Sequence, residues 1–579
     1  MMTVPALPKL TGSSRIIRWL PGLQTFLNYQ PKNFFADLSA GLVLAAILIP
    51  VGMSYAEASG LPAIYGLYTT ISTLLVYAIF GPSRILVLGP DSALAGLIAT
   101  TILPLSGGST DKAIVLASML AFMTGGLCVL SGLLRLGFVT ELLSKPIRYG
   151  YLNGIALTVM VSQLPKLCGF EIESGNVIHG LVAFFHHVGS GQVNWLIASI
   201  GVGCLAIIKI GQRYWPKIPS ILVAMIVITI FVSLLSVETQ SSIAVVGHLP
   251  QGFPSFISPM VSVAEFKILF TAALAISLVA FADMSVLSRA YAQRLGDQTK
   301  PNQELAALGL ANISAGFFQG FPVSASASRT PVAEAAGAKT QLTNVIGACC
   351  IILVLYFIPS LLQHVPRTVL AAIVIAATLS IVEIHELRRF YRVRRSEFWL
   401  SMICFMGVAF IDVVQGIFFA VGVALIAFVW RAWRPYDAIL GNVKNQGYHD
   451  ITRHPEAKQI AGLMIFRWDA PLFFANQETF RKHIQQGILN ASTPLQWIVI
   501  AAEPITDIDV TAVDMLLELT QQLKHANITL NFAELKGPVK DQLKDYEVFN
   551  QWGEAHFFPT IEDAVQQFLI SSNRKPSSI

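Results

Sequence analysis

Charge is scarce in this chain. Asp, Glu, Lys and Arg make up 13% of its 579 residues, against 54% hydrophobic residues, and the mean hydropathy is +0.62. Soluble globular proteins carry about twice that charged share, so the bulk of the chain is read as polytopic and embedded in lipid. The net charge of +5 is small for this length. Its basic residues are scattered around apolar segments, with no stripe able to track phosphates, which argues against nucleic acid as a partner. Cysteine is sparse too. Cys128, Cys168, Cys204, Cys349, Cys350 and Cys404 lie in or beside apolar segments without metal-ligand spacing, and all six are read as small buried hydrophobes. No P-loop, HExxH, GxSxG or CxxC pattern occurs, so catalysis has no candidate residue and neither cofactor nor resident metal is expected. The opening stretch, 1–28, mixes Lys9, Arg15 and Arg18 with polar residues and lacks a small-residue cleavage site. It therefore reads as part of a cytoplasmic segment, 1–36, rather than as a signal peptide.

What is present is a series of apolar runs, at 37–58, 61–80, 84–104, 113–134, 147–165, 194–209, 218–236, 266–290, 303–319, 341–361, 367–383, 396–412 and 414–433, with a short helix from Ser328 as a fourteenth segment. The fold class predicted is an α-helical polytopic membrane domain over 37–434. Breaks are expected at Pro50, at Gly89-Pro90 and around Pro331, and broken helices at membrane depth imply a lined cavity. Lys and Arg gather at Arg135, Lys145 and Arg148, at Lys209, Arg213 and Lys217, at Arg289, Arg294 and Lys300, and in RRFYRVRR at 388–395. The loop 237–264 is nearly free of them. That asymmetry puts the basic loops and both termini on the cytoplasmic side of the cell membrane.

Hydropathy falls abruptly after Trp433-Arg434-Pro435. Beyond it, β-rich runs at 462–468, 497–502 and 528–534 alternate with amphipathic helical stretches at 476–488, 510–525 and 560–570, the pattern of an α/β domain over 437–575.

The stretches ILVLGPDSALAGL (85–97) and FPVSASASRTPVAEAAG (321–337) share one design: a short extended run, a break, then an Ala- and Gly-rich helix. Two discontinuous segments in matching positions of two halves point to the site of an inverted-repeat transporter. Facing helix N-termini suit an anion. Arg329 adds charge where charge is costly unless it faces a cavity or a partner; the plain alternative is a structural pair with Asp283. Asp283 is the lone acid of 266–288. It is a candidate to carry a coupling proton, to bind Na⁺ with backbone oxygens, or to form a permanent salt bridge to Arg329 or Arg289. Ser92, Ser324, Ser326 and Ser328 are candidate donors to an anion, although such hydroxyls as often bond their own backbone. Asp91 is read as an N-cap.

The segments PVGMSYAEASGLPAIYGLYTT (50–70), RAYAQRLGDQTKPNQELAALGLANISAGFFQ (289–319), SRTPVAEAAGAKTQL (328–342), FRWDAPLFFANQETF (466–480) and ITDIDVTAVDMLLEL (505–519) resemble the SulP family of anion permeases along nearly the whole chain. The resemblance implies a seven-plus-seven inverted repeat with a core moving against a gate, followed by a cytoplasmic STAS domain, and a homodimer. It places a small anion beside Ser328, Arg329 and Thr330 on one side and Gly89, Pro90, Asp91, Ser92 and Ala93 on the other, with Tyr55 from the first helix, and makes Asp283 the coupling residue. It implies secondary active transport of sulfate, bicarbonate or a dicarboxylate by H⁺ or Na⁺ symport or by exchange. A passive anion channel, or a membrane sensor with the STAS domain as output, is the alternative. Two departures from the family pattern bear on pocket size. Val51 stands where many members carry glutamine, and Ala325 and Ala327 replace a glycine and a phenylalanine. In DIDVTAVD (507–514), Thr511 lies near a position that is phosphorylated in soluble STAS relatives, and a capping role is the plainer reading.

Overall fold

The computed structural model describes residues 20–572 except 28, 138–143, 171, 173–176, 192, 216–218, 236–242, 248–251, 299, 327–328, 381, 412 and 445. The chain divides into two compact units, Met1–Ala424 and Leu425–Ile579. In the first, a short helix α1 (Pro21–Leu27) precedes α2 (Phe34–Ala58), α3 (Ile64–Phe80), strand β1 (Leu88–Gly89), α4 (Ser92–Ser106), α5 (Thr110–Leu133), α6 (Lys145–Leu167), α7 (Val177–Gly189), α8 (Trp195–Tyr214) and α9 (Ser220–Ser233). The second half follows with α10 (Val263–Leu295), α11 (Pro301–Phe317), β2 (Ser324–Ala325), α12 (Arg329–Ala335), α13 (Leu342–Phe357), α14 (Pro359–Gln363), α15 (Arg367–Leu379), α16 (Ile384–Val393), α17 (Arg395–Met406) and α18 (Val413–Trp433). Among the described residues, six helical stretches are long and apolar enough to cross a membrane.

These helices form two groups. The helices α2, α3, α4, α5, α10, α11 and α13 pack on one another, while α6 packs on α15 and α17, and α15 and α9 on α8. The most extensive contact in the first group is α5 against α11. A Cβ on Gly125 would come within 2.5 Å of the Gly309 carbonyl oxygen, and one on Gly309 within 2.7 Å of the Gly125 carbonyl oxygen. In lipid, where apolar surface gains nothing by leaving the tails, close backbone approach through small residues is what holds helices together.

The break at Gly89-Pro90 is as the sequence suggests. The one expected at Pro50 is not: α2 runs unbroken from Phe34 to Ala58 with Pro50 inside it. Proline withholds one amide from the ladder but its fixed φ is helical, and burial in the bundle offsets the missing bond. Helix α7 is an element the hydropathy reading missed. The cysteines also divide: Cys128, Cys204 and Cys404 are buried, but Cys349 is exposed, because the lipid-facing side of a membrane helix is as apolar as its core.

The second unit is built on a six-stranded sheet of order β4-β3-β5-β6-β7-β8, with β3 (Asp437–Val443), β4 (Gly447–Asp450), β5 (Leu463–Trp468), β6 (Trp497–Ala501), β7 (Thr529–Ala533) and β8 (Phe557–Phe558). β5 to β8 are parallel, and β3 is antiparallel to both its neighbours. Phe466, Ile498 and Phe532 bury one face under the helices Gln477–Leu489, Val510–His525 and Gly537–Asp545, while Ile465, Val499 and Ala533 bury the other under Ile561–Ser571. The strands are therefore apolar on both faces, which is why they read as continuous runs. The hairpin of β3 and β4 was not legible as strands. Thr511 lies inside the helix Val510–His525, and the cap of that helix is Asp509, whose carboxylate accepts from Ala512 N at 2.8 Å.

The turn after β4 carries a pH-sensitive contact. Burial disfavours the Asp450 carboxylate, yet hydrogen bonds from Tyr436 Oη and Thr452 and the charge of Arg453 outweigh it and hold the carboxyl below its ordinary value. A depressed folded value contributes stability above the unfolded pKa of about 3.9, and that stability is lost as pH falls through the folded value. Calorimetry of the full chain should show the transition of this unit weakening below about pH 4, and weakening less in Asp450→Asn.

Candidate functional site

The two broken segments meet. β1 and β2 pair antiparallel, with Leu88 opposite Ala325 and Gly89 opposite Ser324. Backbone groups freed by the breaks find partners in side chains, as a membrane interior requires. Asn312 Oδ1 accepts from Val323 N at 2.9 Å and Asn344 Nδ2 donates to Leu86 O at 2.9 Å, while Ser324 Oγ ties β2 to α10 by donating to Ala280 O at 2.9 Å. The pairing sets α4 and α12 off from one place. Asp91 caps α4, its carboxylate accepting from Ala93 N at 2.9 Å, as the sequence suggested. Helix α12 has only seven residues, so its dipole is slight and the positive potential here comes mainly from Arg329.

Arg329 is 1% exposed. Its Nη2 donates to the Pro90 carbonyl and lies 3.9 Å from Asp91 Oδ2, while Nε and Nη1 are buried with no hydrogen-bond partner among the described residues. A Cβ on Gly89 would sit 3.2 Å from Nη1, so glycine there leaves room for the guanidinium. A buried arginine with two unused N–H groups is a charge waiting for an acceptor.

A cavity of about 600 Å³ lies before it, lined by Tyr55, Ser92, Ala93, Arg329, Asp283 and Arg148 among others. Val51 and Ala325, two of the three residues that depart from the family pattern, also line it, and the third, Ala327, lies outside the described residues. Gly89, Pro90 and Thr330 stand behind the wall rather than in it. The Thr330 hydroxyl accepts from Val87 N at 3.2 Å, which makes it a support of the break. Ser324 is committed to Ala280, and Ser326 Oγ accepts from Arg329 N at 3.2 Å. Ser328 lies outside the described residues. Among those described, no cluster of His, Cys, Asp or Glu could hold a metal ion by itself.

Asp283, 8% exposed, pairs with neither Arg329 nor Arg289. Its Oδ1 accepts from Arg148 Nε at 3.3 Å and from Tyr151 Oη at 3.2 Å, and lies 3.2 Å from Arg148 Nη2. The sequence reading had placed Arg148 among the loop cations that set orientation. Its position after Lys145-Pro146, one turn inside an apolar helix, is the signal that separates a cavity arginine from a loop one. A second buried carboxylate, Glu304, was missed altogether. It accepts from Tyr77 Oη and Ser288 Oγ, each at 2.7 Å, and from Ser83 Oγ, a fully bonded tie among the helices of the first group and away from the cavity.

Two bundles of membrane helices enclosing an arginine-lined cavity at paired helix breaks define a membrane anion transporter. Residues 34–404 match the model of the sulfate permease family and 454–564 that of the STAS domain. The chain is 36% identical to a probable sulfate transporter of Mycobacterium tuberculosis, over 97% of this chain and 99% of that one. It is 29% identical to the chloroplastic sulfate transporter 4.1 of Arabidopsis thaliana, over 96% and 85% of the two chains. Its fold matches the murine Solute Carrier 26 family member A9 anion transporter in the inward-facing state, with a TM-score of 0.88, 22% identity and coverage of 97% and 96%. The transmembrane domain of the cyanobacterium bicarbonate transporter BicA aligns with a TM-score of 0.59 at 22% identity, covering 69% of this chain and 98% of that one. The chain belongs to the sulfate permease family: it is a multi-pass membrane anion transporter with a C-terminal STAS domain, and not an enzyme.

Proposed function

We propose that the protein is a secondary active transporter of a small anion (sulfate, bicarbonate or a dicarboxylate), bound in the cavity before Arg329 and moved by alternating access, with a proton or Na⁺ carried at Asp283. The unpartnered Nε and Nη1 of Arg329 carry this reading, since a buried guanidinium fork is matched to an oxyanion. Tyr55, Ser92 and Ala93 line the same cavity, and the free amides at the start of α4 add weak positive potential. Asp283 supports coupling because a passive pore has no need of a buried acid beside its charge. The curated relatives named as sulfate transporters favour sulfate among the candidates.

The cavity reaches Arg148, Gln212, Ser220 and Glu383, at the ends of α6, α8, α9 and α15 that adjoin basic loops. With those loops cytoplasmic, the cavity opens inward, and the STAS domain is cytoplasmic as well. Uptake of labelled sulfate, bicarbonate and succinate into proteoliposomes under imposed H⁺ and Na⁺ gradients tests the reading. One anion should accumulate against its gradient. Asp283→Asn should keep downhill flux of that anion and lose gradient-driven accumulation. Coupled accumulation that survives in Asp283→Asn would remove the acid from the mechanism, and single-channel currents in the wild type would replace transport with conduction.

A further inference from the structure

We infer that Arg148 is a second guanidinium of the anion site, reaching from the opposite helix group, and that it makes the cavity favour divalent over monovalent anions. The inference rests on the reading that this cavity holds the transported anion.

Arg148 stands on α6, which packs with α15 and α17, whereas Arg329, Asp91 and Asp283 belong to the segments that pack with α2 and α5. Both arginines line the same space. A residue whose only task was to neutralise Asp283 would sit side-on, with two nitrogens on two oxygens at about 2.7–2.9 Å. Here Nη2 and Nε both lie against Oδ1, at 3.2 and 3.3 Å, and only Nε donates to it. Tyr151 shares that oxygen, and both contacts run through Nε and Nη2, which leaves Nη1 out of the pair. The pair is loose and its fork is only partly used. Arg329 likewise keeps two N–H groups free. The cavity therefore offers unused donors from two guanidiniums on its two sides.

A dianion such as sulfate, or a short dicarboxylate, carries charge enough for both forks at once; a monoanion is satisfied by one. The lining charges sharpen the distinction. Arg148 and Arg329 are opposed by Asp91, Asp283 and Glu383, so the empty cavity has no excess of positive charge to draw in any anion. A dianion takes the Arg148 fork when Asp283 carries the coupling cation, since the acid is then not left as an unpaired buried charge. The groups facing Asp283 from the packed elements are Arg148 and Tyr151 on α6 and Asp91 before α4, while β2 presents Ser324 and Ala325, which do not titrate. A carboxylate competing with the ligand for one arginine also means that removing its charge frees the fork.

Equilibrium binding of labelled sulfate to the purified full chain, with displacement by thiosulfate and by nitrate, tests the inference. Arg148→Gln should weaken sulfate and thiosulfate binding about tenfold or more while shifting nitrate displacement less than about threefold, since only dianions use the second charge-assisted contact. Arg148→Lys should fall between. Asp283→Asn should bind sulfate at least as tightly as the wild type. The pair Arg148→Gln with Asp283→Asn leaves no uncompensated buried charge, so its fold is secure, and it should show the same loss of dianion preference. Equal weakening of nitrate and sulfate in Arg148→Gln, or wild-type sulfate affinity in the double variant, overturns the role of Arg148 alone. Sulfate binding that persists unchanged in Arg329→Ala overturns the reading of the cavity, and this inference with it.

Discussion

Arg329→Ala is expected to reduce anion uptake by about 100-fold or more, measured as initial rate over substrate concentration in proteoliposomes. A charge-assisted hydrogen bond contributes about 1.5–3 kcal/mol, and truncating one partner of a desolvated charge contact costs about 2–5 kcal/mol. With about 1.4 kcal/mol per factor of ten, two such contacts to an anion account for that loss. The substitution also leaves Asp91 facing the cavity without its counter-charge, 3.9 Å away in the intact protein, so anions meet repulsion where they met attraction. Arg329→Lys should not restore the wild-type rate, because an ammonium on a flexible stem cannot present two fixed donors while also holding the Pro90 carbonyl. The protein should remain folded in both variants, since β1 and β2 are held by backbone pairing and by Asn312 and Asn344 rather than by the guanidinium. Uptake within about threefold of the wild type in Arg329→Ala would place the anion elsewhere.

Gly309→Val is expected to be among the most damaging changes to the fold. The added atoms would start 2.7 Å from the Gly125 carbonyl oxygen and 2.7 Å from Val129 N. Both are main-chain atoms on a helix that cannot step aside without losing the length of the α5–α11 contact. Overpacking a tight core costs about 1–3 kcal/mol where side chains can adjust, and here the obstacle is backbone, so the upper end of that range is expected. Thermal unfolding and size-exclusion profiles in detergent should show a lowered midpoint and loss of the monodisperse species. Gly203→Val on α8, where an added Cβ meets nothing within 4 Å, is the matched control and should behave as the wild type. Equal behaviour of the two variants would mean that the α5–α11 contact is not what holds the first group together.

The sequence and the structure part company at identifiable residues. Asp91 was legible as a cap because an Asp before Ser-Ala-Leu-Ala offers its carboxylate to the next amides in any setting, which is a local property. Gly89-Pro90 was legible as a break for the same reason. Pro50 looked alike and proved continuous, since whether a proline interrupts a buried helix depends on the neighbours packed around it. Arg148 was assigned to a loop because charge counting assigns every cation near a helix end to the interface. Only the tertiary placement of Arg148 and Tyr151 against Asp283 turns it toward the cavity. Thr330 and Ser324, read as candidates for anion contacts, also bond Val87 N and Ala280 O, across segments hundreds or tens of residues apart that no local pattern encodes.

The sequence by itself determined the membrane setting, the two-part organisation, the family and the two discontinuous segments, because hydropathy, helix caps and motif order are properties of neighbouring residues. The tertiary structure alone decided which charges face each other: Arg329 with Asp91 and the Pro90 carbonyl, Asp283 with Arg148 and Tyr151, Glu304 with three hydroxyls. In a low-dielectric interior a charge is stable only beside its partner, and the partner is chosen by how helices far apart in the chain come to lie side by side.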